Sequence, residues 1–372
     1  LFLNLLLVII VPLIFFTITS SISKMRERRR LSKILISTII IFLITSIIAV
    51  IVGFASTIAI NLVDPKDTDV IRETFDDSIT EEVELNLLER TVSVLSTDQF
   101  VNLLSTDNLI ALIVISILFG IAINKSGEKG RKVAELLDSF SEVMYKFIHI
   151  IMYYAPVGLG CYFASLVGTL GSVITIGFLK TFFVYWVVSL LFMIIFYTIY
   201  AYIAAGKKGI KGFWKNIIPS ALTAMGTCSS AASVPVNIEC TKKIGVPNHI
   251  AETVVSFGTS FHKDGSSIGS VFKIMFLVCL FGTSIASFGE VLGIISVALV
   301  ATLLVTAVPI GGGTISEMLI ITMMGYPISA LPILTITATI IDIPATMLNV
   351  TGDSVSSMMV ARIVGGKGWI DN

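Results

Sequence analysis

Charge is scarce in this 372-residue chain: only 13% of its residues are Asp, Glu, Lys or Arg, against roughly 25% in soluble domains. With 55% hydrophobic residues beside that shortage, a water-soluble globule is excluded. The four cysteines, Cys161, Cys228, Cys240 and Cys279, include no CxxC pair and lie in or beside apolar stretches. They read as small buried residues rather than a disulfide framework. His149, His249 and His262 are far apart, with no Cys/His neighbours at metal-ligand spacing, so no metal centre follows from them. No GxxxxGK[ST] occurs, which excludes an ATP-driven pump of that type and leaves an ion gradient as the energy source. Lys plus Arg and Asp plus Glu balance at 25 each, giving no reason to expect a nucleic-acid partner.

What the chain has in abundance is apolar sequence. At about 20 residues per crossing it can supply roughly eight to ten membrane-spanning helices, and the mean hydropathy of +0.95 agrees. It opens on Leu1 rather than Met and runs at once into apolar residues, so a preceding segment with one more helix is expected. Apolar segments cover about 1–20, 34–62, 109–123, 133–170, 173–205, 217–236, 249–288, 291–324 and 328–364. In lipid an unpaired backbone amide or carbonyl costs several kcal/mol, so these segments must be helical: an all-α, polytopic membrane protein. Basic clusters follow at Lys24–Arg30, Lys125–Lys132, Lys207–Lys215, Lys242–Lys243 and Arg362–Lys367, and the positive-inside rule puts all five in the cytoplasm. The stretch at about 63–107 is rich in carboxylates and reads as an external, solvated acidic connector.

Between Lys215 and Lys242 both flanks are basic and therefore internal, yet the apolar stretch is short and broken by Thr227, Cys228, Ser229, Ser230 and Pro235. A segment that begins and ends on one side with a polar break at mid-length predicts a re-entrant hairpin, tolerated in the membrane only where it lines a cavity. A second hairpin is predicted around Pro309, Gly311, Gly312, Gly313 and Thr314. After each comes a long apolar helix that is itself interrupted. The first breaks at Phe261, His262, Lys263, Asp264 and Gly265, the second around Pro344 and at Asn349, Thr351, Gly352 and Asp353. Interrupted segments in corresponding positions point to the binding site of a secondary transporter; an ion channel is the competing use of such breaks.

Asp342, Thr346, Asn349 and Asp353, spaced by four, three and four, share one helix face with Ala345. A carboxylate in a membrane helix costs about 2.5–3.5 kcal/mol, so two on one face call for cations, an ammonium group or a wet cavity.

These motifs carry a family resemblance. Asn349-Val350-Thr351-Gly352-Asp353 resembles the terminal signature of the dicarboxylate/amino acid:cation symporters, the glutamate-transporter family. Ser229-Ser230-Ala231-Ala232-Ser233-Val234-Pro235 is similar to the tip of that family's first hairpin, SSSATLP, and Val308-Pro309-Ile310-Gly311-Gly312-Gly313 to the tip of its second. Phe261-His262-Lys263-Asp264-Gly265-Ser266 stands in the place of NMDGT. The resemblance implies a multi-pass homotrimer of the cytoplasmic membrane with two re-entrant hairpins and two broken helices. Residues 1–205 would be mainly scaffold, some helices travelling with the transport unit. Residues 206–372 would be the transport core: hairpin 1 at about 216–240, a broken helix at 249–286, hairpin 2 at about 290–325 and a broken helix at 328–364.

The resemblance further implies that Asp342 meets a substrate amino group, with Ala345, Thr346 and Asn349 beside it. Ser229, Ser230, Ser266 and the backbone of Val308, Pro309, Gly311 and Gly312 would meet the carboxylate, where helix N-termini favour an anion. One sodium or substitute-cation site would use Gly258, Ser260, His262, Asn349 and Asp353; a deeper one Thr45, Ser46 and Asp264. No organic cofactor is implied.

Three departures shape the reading. Ala345 replaces an arginine of acidic-amino-acid carriers, and no arginine occurs between Arg131 and Arg362, so neutral amino acids are expected over dicarboxylates. Phe42 stands where an aromatic hydroxyl is usual, and His262 and Lys263 replace Asn and Met. An unpaired ammonium is costly at that depth, so Lys263 is expected to be neutralised, to lie against Asp264 or Asp353 in place of sodium, to snorkel to water, or to meet a substrate carboxylate. The expected function is a symporter for a small amino acid or related carboxylate driven by sodium or protons. The alternatives are an uncoupled, channel-like or binding-only protein of the same fold, and, remotely, a hydrolase built on Ser260 and His262.

Overall fold

The computed structural model describes residues 32–58, 99–104, 109–154, 172–283, 287–306 and 312–370, with scattered positions among 5–23, at 60, 62 and 285, and among 157–168. Among the described residues there are helices and turns and no strand. Helix α1 (Ser32–Ile58) is rich in Ile, Thr and Val, residues that in water favour strands. A helix closes all its backbone hydrogen bonds within itself, and in an apolar medium that requirement overrides propensity. Lys33–Ile58, Thr175–Asn216 and Ile328–Gly365 are long and apolar enough to cross a membrane.

The chain divides into two compact units, the first made of 1–27, 69–174 and 307–336. Here α2 (Leu109–Lys125) and α3 (Gly127–Met152) pack together across a turn at Gly127, whose φ of 61° suits glycine. Ile123, Ala134 and Leu137 form an apolar core with Phe15 and Phe16. The Thr19 hydroxyl donates to the Ser116 carbonyl at 3.3 Å and the Asn124 amide to the Ser23 carbonyl at 2.8 Å.

The second unit holds 28–68, 175–306 and 337–372. Helix α4 (Ser172–Phe192) passes through one π turn (Met193–Tyr197) into α5 (Thr198–Asn216). Ala205 and Gly206 leave helical geometry inside α5, Gly206 at φ 60°, where the apolar run gives way to Lys207, Lys208, Lys211 and Lys215. Next come α6 (Ile218–Thr227) and α7 (Ser230–Ile244), packed on each other as a helical hairpin. Its apex is Cys228, left-handed at φ 46°, followed by Ser229, whose hydroxyl caps α7 by accepting from the Ala232 amide at 3.2 Å.

Helix α8 (Asn248–Phe261) stops, and α9 (Asp264–Leu280) starts, around two non-helical residues, the extended His262 and Lys263 at φ −144° and ψ 58°. The break therefore falls where the motif predicts it. Nearly all of α9 is buried, and α1 crosses it closely enough that a methyl at Gly53 would sit 3.3 Å from the Ile268 backbone, the small-residue contact typical of membrane helices. Helix α10 (Phe288–Thr306) also packs on α9.

The second predicted interruption is corrected by the structure. Helix α12 (Leu331–Gly365) runs for 35 residues without a break, Pro344 included. Proline removes one amide donor, yet the helix continues through it, and beyond it the Thr351 hydroxyl folds back onto the Met347 carbonyl at 2.7 Å within the same helix. Val308, Pro309 and Gly311, the apex of the second predicted hairpin, lie outside the described residues; Gly312 opens α11 (Gly312–Met324), which packs on α2 within the first unit. Most of the acidic stretch at 63–107 also lies outside them.

Candidate substrate and cation site

All the geometry that follows lies within the second unit. At the helix break the side chains of His262 and Lys263 reach different neighbours. The Lys263 ammonium reaches the hairpin apex, 3.5 Å from Ser230 Oγ. The His262 ring turns the other way, into the protein, where it is fully buried. Its Nδ1 lies 3.0 Å from Asp353 Oδ1, and its Nε2 lies 2.9 Å from Thr45 Oγ1 and 3.1 Å from Asp264 Oδ1. Phe42 stacks on the ring at 4.4 Å between centroids. It is thus His262 that meets the two buried carboxylates, one of the four placements considered above for Lys263.

Asp264 and Asp353 are 0% and 1% exposed. The Thr45 hydroxyl donates to the Phe42 carbonyl at 3.2 Å, which leaves its oxygen as an acceptor toward Nε2. Asp264 Oδ1 is buried and makes no hydrogen bond of acceptable angle despite its 3.1 Å approach to Nε2. The other oxygen, Oδ2, lies 3.2 Å from the Tyr197 hydroxyl, which also donates to the Leu348 carbonyl at 2.8 Å. Ser46 is buried next to Thr45 on α1.

Glycines let the backbones close in on these groups. A methyl on Gly258 would overlap the Asp353 carboxylate, and one on Gly352 would stand 2.6 Å from the Tyr197 hydroxyl and 2.7 Å from His262 Cε1. At Gly265 it would overlap the Ala345 carbonyl, so α9 begins directly against α12.

The stripe on α12 is graded in depth. Asp342 is exposed, whereas Ala345, Thr346 and Asn349 are buried. The Thr346 hydroxyl donates to Asp342 Oδ1 at 3.2 Å. The Asn349 amide clasps the start of α9: its Oδ1 accepts from the Ser266 amide at 3.2 Å and its Nδ2 donates to Ser266 Oγ at 3.1 Å. The stripe, the helix break, Ser229 and Ser230 are thus parts of one folded unit, joined by named bonds. The side chain of Ser260 lies outside the described residues.

Three further residues hold this arrangement together and were not singled out by pattern. The Tyr185 hydroxyl donates to the Gly265 carbonyl at 2.7 Å, and Tyr197 acts as described. Asn237 ties the hairpin to α12: it donates to the Val350 carbonyl at 2.8 Å and accepts from Ser220 at 2.7 Å and Ser354 at 2.6 Å. The only signal in the sequence is the general one that a polar atom in an apolar helix needs a partner.

Two expected cation sets respond differently to a fit test. In the upper set, the Gly258 carbonyl accepts from the His262 amide at 2.8 Å and the Asn349 carbonyl belongs to a continuous helix, so each retains one lone pair for a further ligand. Asp353 lies directly against Gly258. In the deeper set, His262 Nε2 stands between Thr45 Oγ1 and Asp264 Oδ1, and a hard cation needs oxygens at about 2.3–2.6 Å in that same space. A sodium ion does not fit there with the ring in place. Among the described residues, no three His, Cys, Asp or Glu side chains are grouped to hold a metal ion.

The family model of the sodium:dicarboxylate symporter family matches residues 1–363. A proton/sodium-glutamate symport protein of Bacillus subtilis is 26% identical over 372 aligned residues, covering 97% of this chain and 84% of its own. A C4-dicarboxylate transport protein of Caulobacter vibrioides is 26% identical, covering 97% and 87%. The mouse excitatory amino acid transporter 2 is 25% identical, over 68% of this chain and 44% of its own.

Proposed function

Because this chain belongs to the sodium:dicarboxylate symporter family, we propose that it carries a small amino acid, or a related carboxylate, through the cytoplasmic membrane on a sodium or proton gradient. It is a membrane transporter and not an enzyme. In this reading the substrate ammonium meets Asp342, with Thr346 beside it, and the substrate carboxylate meets Ser229, Ser230 and the apex of the second hairpin around Val308–Gly312. Ala345 leaves a second carboxylate without a bidentate partner, so neutral amino acids are preferred. Each hairpin is re-entrant, three copies of the chain assemble as a homotrimer, and 206–372 moves as the core of an elevator against mainly scaffold helices in 1–205, some of which travel with it.

The observation that carries this reading is the joint between α12 and the break in α9: an exposed carboxylate, Asp342, continuous along one face with a sealed one, Asp353. An exposed carboxylate suits a reversible ammonium ligand, and a buried one suits a cation that must be stripped of water.

Uptake of labelled substrates into proteoliposomes tests it. Serine, alanine, threonine or cysteine should exceed aspartate and C4-dicarboxylates at least tenfold, since a charged hydrogen bond of the missing kind contributes about 1.5–3 kcal/mol. Aspartate uptake equal to that of serine would overturn the neutral preference and point to the Lys263 ammonium, near Ser230, as the match for the second carboxylate.

A further inference from the structure

The deeper cation set contains a group that needs explanation: a fully buried imidazole whose two nitrogens lie 2.9–3.1 Å from a hydroxyl and two carboxylates on three different segments of the chain. A structural histidine is satisfied by one donor and one acceptor contact. This one touches Thr45 on α1, Asp264 at the head of α9 and Asp353 on α12, the groups around which a small cation would be held. Phe42 covers its face, and glycines at 258 and 352 open the space for it.

We infer that the His262 side chain is a built-in occupant of this cage, so that no sodium ion binds between Thr45 and Asp264 during transport. The ring puts its two nitrogens where a metal would place its charge, and it travels with the protein rather than with the substrate. Asp264 Oδ1, buried without a well-formed hydrogen bond, marks the mismatch: the cage keeps an acceptor that a spherical ion would use and a planar ring does not. The coupling stoichiometry therefore lacks the ion of this site, and any sodium used must bind elsewhere, as at the upper set. This inference rests on the symporter reading above.

The test is equilibrium binding of radioactive sodium to the purified full chain, beside uptake by the same preparation. Three proteins are compared: wild type, Asp264→Asn and His262→Asn, the last a shorter side chain that vacates the space where Nε2 stands between Thr45 and Asp264. Wild type and Asp264→Asn should bind the same number of sodium ions, because the cage holds none. His262→Asn should gain one saturable ion per chain, and a His262→Asn/Asp264→Asn double variant should lose it again. A wild-type sodium ion lost in Asp264→Asn would overturn the inference without any folded His262 variant; so would a folded His262→Asn that gains no ion. Should wild type drive no uptake under any gradient, the symporter reading fails, while the binding counts still decide whether the ring fills the cage.

Discussion

Replacing Asn237 by alanine removes three hydrogen bonds, two that join the first hairpin to α12 through Val350 and Ser354 and one inside the hairpin to Ser220. Interhelical hydrogen bonds in membrane proteins average about 0.6 kcal/mol, so the three together contribute about 2 kcal/mol. The side chain is 1% exposed, and the cavity left by its amide adds about 1 kcal/mol. A loss of about 3 kcal/mol is expected, roughly a hundredfold in the unfolding equilibrium, read by titrating the micelle-bound protein with denaturing detergent. Ser354→Ala should cost less, about 1 kcal/mol, because Asn237 keeps Ser220 and Val350. The double variant should cost less than the sum of the two, since both remove one shared bond. A loss below about 0.5 kcal/mol for Asn237→Ala, or strict additivity with Ser354→Ala, would refute the view that this network clamps the hairpin.

Asp342→Asn should raise the substrate concentration needed for half-maximal uptake about tenfold with little change in cation dependence, whereas Asp353→Asn should chiefly alter cation dependence. Identical losses in both assays from folded protein would refute that division of roles. Gly265→Ala should reduce uptake at least tenfold, because its methyl overlaps the Ala345 carbonyl, while Gly226→Ala, with nothing within 4 Å, should transport normally. Equal activity of the two glycine variants would contradict the close approach of α9 and α12.

Much of this arrangement is legible in the amino-acid sequence. Runs of apolar residues give the helices, the cluster from Thr227 to Ser230 gives the hairpin apex, and Phe261-His262-Lys263-Asp264 gives the break. The spacing of Asp342, Thr346, Asn349 and Asp353 gives the polar face. The continuity of α12 is less visible, because Pro344, Gly352 and a cluster of small polar residues read as a break, while packing against Asn237, Ser266 and Tyr197 holds the helix whole. Nor does adjacency say which of His262 and Lys263 faces the carboxylates; that follows only from the backbone of the break, which turns one side chain in and the other toward Ser230. Tyr185, Tyr197 and Asn237 carry no periodic signal, since the partners that tie them to α9 and α12 lie 67–151 residues away in sequence.

The steady-state ratio of internal to external substrate in proteoliposomes tests cation-coupled symport most directly. With an inward sodium or proton gradient, serine or a similar small amino acid should accumulate above its external concentration, and an ionophore that collapses the gradient should return the ratio to one. A ratio that stays at one under every imposed gradient, with substrate still entering, would contradict the account and identify an uncoupled, channel-like pathway.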